Sequence, residues 1–261
     1  MDFFSLSPWR KALNMELGYR IIRPSDVGSH PLPLVQISLW RAAKWGVSEG
    51  ERAVTEAIEM AEECRRRGIR SVYHPLEYPL TNGHGDRTKD VLRRLARGCD
   101  LGIIIHDEGG AGGSRLSGSD AERYEKNVRE ISSLCPISIE NSYNSSDITW
   151  FWERFVQPAP PSVSITLDIG HIELAGLNSV AFVRAMKKEL VDSISFVHMH
   201  HHDARTGDAV PDHKPLVKGC REIEALKELL NRKSEIGVIL ELDAAEDGLQ
   251  QSIELLKQLW N

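Results

Sequence analysis

The sequence predicts a single parallel (β/α)₈ barrel spanning residues 1–261, and three observations point to it. The chain has 261 residues, close to the ~250 typical of that fold. Apolar runs alternate with amphipathic helical stretches, the pattern that calls for a parallel sheet. The apolar runs number eight, which favours closure into a barrel over an open sheet.

The candidate strands are Gly18–Arg23, Val35–Trp40, Ile69–His74, Leu101–His106, Pro136–Glu140, Ser164–Asp168, Ser193–His198 and Gly237–Glu241. Most are nearly continuous apolar runs, as parallel strands covered on both faces require. Pro24, Pro31 and Pro33 separate the first two strands. A crossover helix does not form there, because proline removes a helical donor and clashes with the preceding turn. The first helix is therefore expected to be missing or irregular.

Further along, Ser48 and Glu51 have capping-box spacing before an apolar stripe of Val54, Ala57, Ile58, Ala61 and Cys64, with Gly68 as a stop. Ser119 and Glu122 repeat that spacing before Tyr124, Val128 and Ile131. Ile223, Leu226, Leu229 and Leu230 make another stripe, and Leu249, Ile253, Leu256 and Trp260 the last.

Composition narrows the class of partner. Hydrophobic residues make up 41% and charged residues 27% of the chain, as in an ordinary globule. A net charge of −6 offers no electrostatic footprint for nucleic acid or an anionic membrane. Cys64, Cys99, Cys135 and Cys220 are scattered without a C-x-x-C pair, as expected of reduced thiols. No apolar run has signal-peptide length or approaches the ~20 residues of a membrane span. The expectation is a soluble cytoplasmic protein, with self-association into a homo-oligomer left open.

Position makes the polar residues informative. His74, His106, Glu140, Asp168, His198 and Glu241 each end an apolar run. In a parallel barrel those ends share one face, where active sites form. His, Asp and Glu together are ligands for Zn²⁺, Mn²⁺ or Mg²⁺. A lone strand-end histidine is more often a rim residue than a ligand. Six such groups converging without a metal would leave carboxylates repelling one another and imidazoles unpaired.

Around this set, Asp168-Ile-Gly-His171 adds His171 after a turn that Gly170 is expected to permit. Phe196, His198 and His200 share a face by period-two alternation, while His201 and His202 are expected to face solvent. Asp212 and His213 follow a polar loop that can return to the site. The glycine-rich run from Glu108 to Gly113 matches no phosphate-binding fingerprint and reads as a flexible loop.

The motifs ISIEN (137–141), TLDIGH (166–171), VHMH (197–200), DHKPLVKG (212–219) and VILEL (238–242) resemble, in this order, those of the xylose isomerase-like TIM barrels. That superfamily includes sugar and sugar-phosphate isomerases and epimerases and the family 2 AP endonucleases. The resemblance implies a metal site of Glu140, Asp168, His198 and Glu241, with Glu140 and Glu241 doubling as the catalytic acid and base. His171 would bind substrate or a second metal. His74, His106 and His213 match further ligands of the endonuclease-type members, which carry three zinc ions. Those members have an Asp two residues before the position of His213, where this chain has Pro211.

Two functions follow. The first is a one-ion isomerase or epimerase acting on a sugar, sugar phosphate or related carbonyl compound, with Glu140 and Glu241 moving a proton between adjacent carbons. The second is a phosphoester hydrolase with two or three Zn²⁺ ions, in which His74, His106, His171, His200, Asp212 and His213 supply additional ligands.

Overall fold

In a computed structural model, which describes residues 15–42, 48–81, 85–109, 115–142, 145–202, 213–244 and 247–260, eight strands close into one barrel. They are β1 (Met15–Ile21), β2 (Leu34–Trp40), β3 (Arg70–Leu76), β4 (Ile103–His106), β5 (Ile137–Glu140), β6 (Val163–Asp168), β7 (Ile194–Met199) and β8 (Ile236–Asp243). Every neighbouring pair is parallel, and β1 closes on β8.

The first crossover carries a single 3₁₀ turn, Pro24–Asp26, among its described residues. Pro24 sits at the first position of this turn, where its missing N–H costs nothing. Arg23 before it is extended, so β1 stops at Ile21 and not at the expected Arg23. The Asp26 carboxylate accepts from the backbone N–H of Ile22 and Arg23 and so fastens the turn.

The helices are α1 (Gly50–Arg66), α2 (Gly85–Ala96), α3 (Gly118–Ser132), α4 (Ile148–Phe151), α5 (Ile169–Leu174), α6 (Ser179–Ala185), α7 (Lys188–Asp192), α8 (Arg221–Arg232) and α9 (Asp247–Trp260). The stripes read from the sequence on α1, α3, α8 and α9 are buried, apart from half-buried Ile58 and Trp260, whose side chain lies outside the description. Gly68 ends α1 with φ +71, and the next N–H turns back to the Cys64 carbonyl.

Neither capping box forms. The α1 N-cap is Glu49, and the Ser48 hydroxyl donates to Glu56 instead. Helix α3 begins at Gly118 after Ser117, which puts Ser119 inside the first turn.

Inside the barrel, Leu34, Val72, Ile104, Phe196 and Ile239 form an apolar cluster separate from the strand–helix core. At the same inward position of β5 and β6, Thr166 donates to Ser138 at 2.6 Å. Strand side chains alternate with period two, so the next inward residues are Gln36, His74, His106, Glu140, Asp168, His198 and Glu241. On β1 the matching residue is Arg20, whose guanidinium meets Asp243 at 2.6 Å. The apolar layer thus plugs the barrel directly beneath a polar ring to which every strand contributes.

Three ring members lie inside their strands, not at the ends as expected. His74 precedes Pro75 and Leu76, His198 precedes Met199, and Glu241 precedes Leu242 and Asp243. The ring is still at the carboxyl mouth, because register offsets such as Gln36↔Val72 and Glu140↔Thr166 supply the stagger of a closed barrel.

Gly102 enters β4 with φ +114, and a Cβ there would stand 2.3 Å from the Pro136 carbonyl oxygen. Gly50 has φ +53 with open space around it. Gly50→Ala should therefore cost about 1 kcal/mol of unfolding free energy, and Gly102→Ala about 3 kcal/mol or more. Urea unfolding compares the two, and equal losses would show that the β4–β5 approach does not constrain the barrel.

Candidate metal centre

Glu140 lies at the middle of the polar ring, 1% exposed. Its Oε2 is 3.1 Å from His74 Nε2, 3.4 Å from His106 Nε2 and 3.5 Å from His198 Nδ1, and its Oε1 is 3.4 Å from His171 Nδ1. Yet neither oxygen accepts a hydrogen bond among the described residues, and neither ring nitrogen of fully buried His198 makes one. The nitrogens are close to the carboxylate but not aligned as donors. His198 Nδ1 also lies 3.5 Å from Glu241 Oε2 and 3.8 Å from Asp168 Oδ2.

This fits a metal centre. Donor atoms about 2.0–2.3 Å from one tetrahedral ion stand roughly 3.3–3.8 Å apart, close to the 3.1–3.8 Å that separates these atoms. Buried polar atoms without partners are costly, and an ion would satisfy them together.

The remaining carboxylates are held from behind. The Glu241 Oε1 accepts from Gln36 Nε2 at 2.5 Å, and its Oε2 lies 3.3 Å from His213 Nε2. Asp168 Oδ1 accepts the His171 backbone N–H at 2.7 Å, capping α5. Asn141, the last residue of ISIEN, clamps the Asp168 backbone with both side-chain atoms, at 2.7 and 3.0 Å.

His200 belongs to this supporting set. Its Nδ1 accepts the His213 backbone N–H at 3.0 Å. The proton must therefore reside on Nε2, which donates to the Asp168 carboxylate at 3.2–3.3 Å. The His213 ring stacks on it at 4.3 Å, and His213 adopts φ +52 to get there. A left-handed non-glycine residue is strained, and here the strain aims an imidazole at Glu241.

Gly170 has a different role from the one expected. Its φ is not positive; a Cβ there would meet His200 Cε1 at 2.1 Å, so glycine lets the ring lie against the backbone.

Electrostatics bind the cluster further. Burial would push the Glu140 carboxyl up, but the imidazoles of His198, His106 and His74 outweigh it and hold the group well below the usual range. For Glu241, burial is likewise outweighed, by His198 and His213, and for Asp168 by His171 and His200. Burial opposes protonation of His198, yet Glu241 and Glu140 raise it to about 9. His106 is also raised, mainly by Glu140 against its own burial.

Every expected site residue within the description reaches this centre; Asp212 lies outside the described residues. Arg20, Gln36 and Asn141 belong to it but were not singled out from the sequence. Their signal was a polar side chain interrupting GYRIIR and VQISLW, or closing ISIEN. Two expectations are corrected. His201 is half-buried and ion-paired to buried Glu222 at 2.9 Å, and His202 is half-buried beside it, because the segment after β7 packs on α8. Of the glycine-rich run, Glu108 accepts from the backbone N–H and hydroxyl of Thr81 and from the Leu80 N–H, while 110–113 lie outside the described residues.

No protein-family model and no curated protein sequence matches this chain. Solved structures do. A xylose isomerase domain protein from Planctomyces limnophilus aligns with a TM-score of 0.61 and 14% identity over 94% of this chain and 95% of that one. An IolI protein with a bound zinc atom aligns at 0.65 and 12% identity, over 94% and 98% of the two chains. The apo form of 3-keto-D-glucoside 4-epimerase, YcjR, from E. coli aligns at 0.59 and 14%, again over 94% and 98%. The fold is that of the xylose isomerase-like TIM barrels.

Asp168→Ala should lower metal uptake at the barrel mouth with the barrel intact. His200→Ala, which removes no ligand, should weaken retention about 10–100-fold. Competition with a chromogenic chelator measures both, and wild-type affinity in His200→Ala would remove its positioning role.

Proposed function

We propose that the chain is a divalent-metal enzyme whose centre takes more than one ion and that it hydrolyses a phosphoester. One observation carries this reading. The ring contains two sets of candidate ligands with no member in common. His74, His106 and Glu140 from β3–β5 offer ligand atoms within 4.8 Å of one another, and Asp168 and Glu241 from β6 and β8 lie 3.8 and 3.5 Å from His198 Nδ1 on β7. Two such sets offer places for two ions, the arrangement that clamps both the attacking and the leaving oxygen of a phosphoester.

Ions held there would supply Lewis acidity and neutralise charge on a phosphoryl group and its leaving oxygen. The chain's own residues do the rest. His106 and His213 are partly solvent-exposed, at 23% and 30% of their side chains, so substrate meets them first. His213, which belongs to neither set, can when protonated donate to a leaving oxygen. Beside His106 a cavity of about 700 Å³ is lined by Trp40, Arg41 and Tyr78, among others. The guanidinium suits an anionic ester, and the aromatic rings suit an apolar or ring-shaped group attached to it.

A second reading has its own support. Glu140, Asp168 and Glu241 all surround His198 Nδ1, with the two glutamates arriving from β5 and β8. These four residues are enough for a single ion. Glu140 and Glu241 could then remove and return a proton on adjacent carbons of a carbohydrate. The names of the 3-keto-D-glucoside 4-epimerase and the sugar phosphate isomerase/epimerase of the same fold accord with that chemistry.

Metal-stripped protein reloaded with Zn²⁺ or Mn²⁺ should take up at least two ions in the barrel mouth and cleave bis(4-nitrophenyl) phosphate. Replacing His74 and His106 together by Ala should remove one ion and lower the rate by about 100-fold. A single ion at the mouth, with solvent deuterium appearing at carbon in ketoses or sugar phosphates incubated in heavy water, would replace the hydrolase with the isomerase.

A further inference from the structure

A second group of metal-type ligands lies outside the ring, between the end of β7 and the start of α8. We propose that His201 Nδ1, Cys220 Sγ and the Glu222 carboxylate form a separate site for a zinc-like divalent ion. This inference does not depend on the chemistry of the barrel mouth.

The three ligand atoms all lie within 4.8 Å of one another. Glu222 is 2% and Cys220 7% exposed. His201 is fixed by a two-way backbone bridge to Lys214, at 2.8 and 3.0 Å. His200 turns inward to Asp168, while its neighbour His201 reaches Glu222 on the α8 side. Cys220 is the N-cap residue of α8, and Glu222 is in its first turn, so both are set by the helix start.

His201 Nδ1 is 2.9 Å and the His202 backbone N–H 3.0 Å from the same Glu222 Oε1. His202 itself carries a buried Nδ1 with no hydrogen-bond partner among the described residues.

A tetrahedral ion holds its donors roughly 3.3–3.8 Å apart. The pair of His201 and Glu222, now 2.9 Å apart, therefore opens by a few tenths of an ångström, and the other pairs, within 4.8 Å, close on the ion. One sulfur, one imidazole nitrogen and one carboxylate oxygen suit zinc or cobalt(II), and not magnesium or calcium, which take oxygen ligands. Uptake releases the thiol proton to solvent, and the neutral His201 ring binds through Nδ1 with its single proton on Nε2. The ion would bind the end of β7 to α8 from outside the barrel, next to the segment that carries His200 against Asp168.

Cobalt(II) titration of the metal-stripped full chain tests this. A thiolate-to-cobalt charge-transfer band should appear in the near ultraviolet and saturate at one thiolate-bound ion per chain. Cys220→Ser and His201→Ala should each abolish the band. The Cys99→Ser, Cys135→Ser double variant should keep it, as should Glu140→Ala, which disables only the barrel mouth. No band in the parent chain, or one that survives Cys220→Ser, would overturn the site. Should Cys220→Ser fail to fold by circular dichroism, persistence of the band in folded His201→Ala overturns it equally.

Discussion

A buried carboxylate that accepts no hydrogen bond among the described residues is the constraint around which the mouth of this barrel is organised. Glu140 is removed from water with both oxygens facing imidazole nitrogens. An isolated charge in that position would cost several kcal/mol, so positive charge must be supplied beside it. The imidazoles supply it when protonated, and an ion supplies it when they act as ligands. Asp168 and Glu241 add two more carboxylates to the same space, and their negative charges raise the cost of leaving it unfilled.

Much of the supporting chemistry exists to keep those carboxylates from turning towards other partners. Gln36 and His213 hold Glu241, while Asn141 and His200 hold Asp168 and its backbone. Each such partner fixes a carboxylate's orientation, which would lower the ordering cost of binding an ion there. The left-handed backbone at His213 is a local expense of the order of 1–3 kcal/mol. It delivers one N–H to His200 and one ring nitrogen to Glu241.

The barrel and most of its ring were legible in the sequence because both follow short-range rules. A buried parallel strand is a continuous apolar run, and a site residue is the polar group that breaks it. Arg20 and Gln36 break their runs too, but only closure between β1, β2 and β8 gives each its partner, Asp243 or Glu241.

His201 was misjudged for the same reason, since Glu222 approaches it only through the packing of α8. Gly170 looked like a turn residue because glycine most often relieves backbone strain, whereas here it relieves a side-chain collision. The short helices α4 to α7 left no stripe long enough to read.

The division of the ring into β3–β5 and β6–β8 reaches beyond chemistry, into how the barrel comes apart and reassembles. His74, His106 and Glu140 come from three consecutive strands, and so do Asp168, His198 and Glu241. On the proposed two-ion reading, each trio would be complete within three consecutive strands, and a partly folded chain would chelate with one trio while the rest is open. Bound metal would then stabilise whichever part is formed. Under denaturant, ions released at two distinct midpoints would mark the halves as separate cooperative units, and simultaneous release would mark the closed barrel as one.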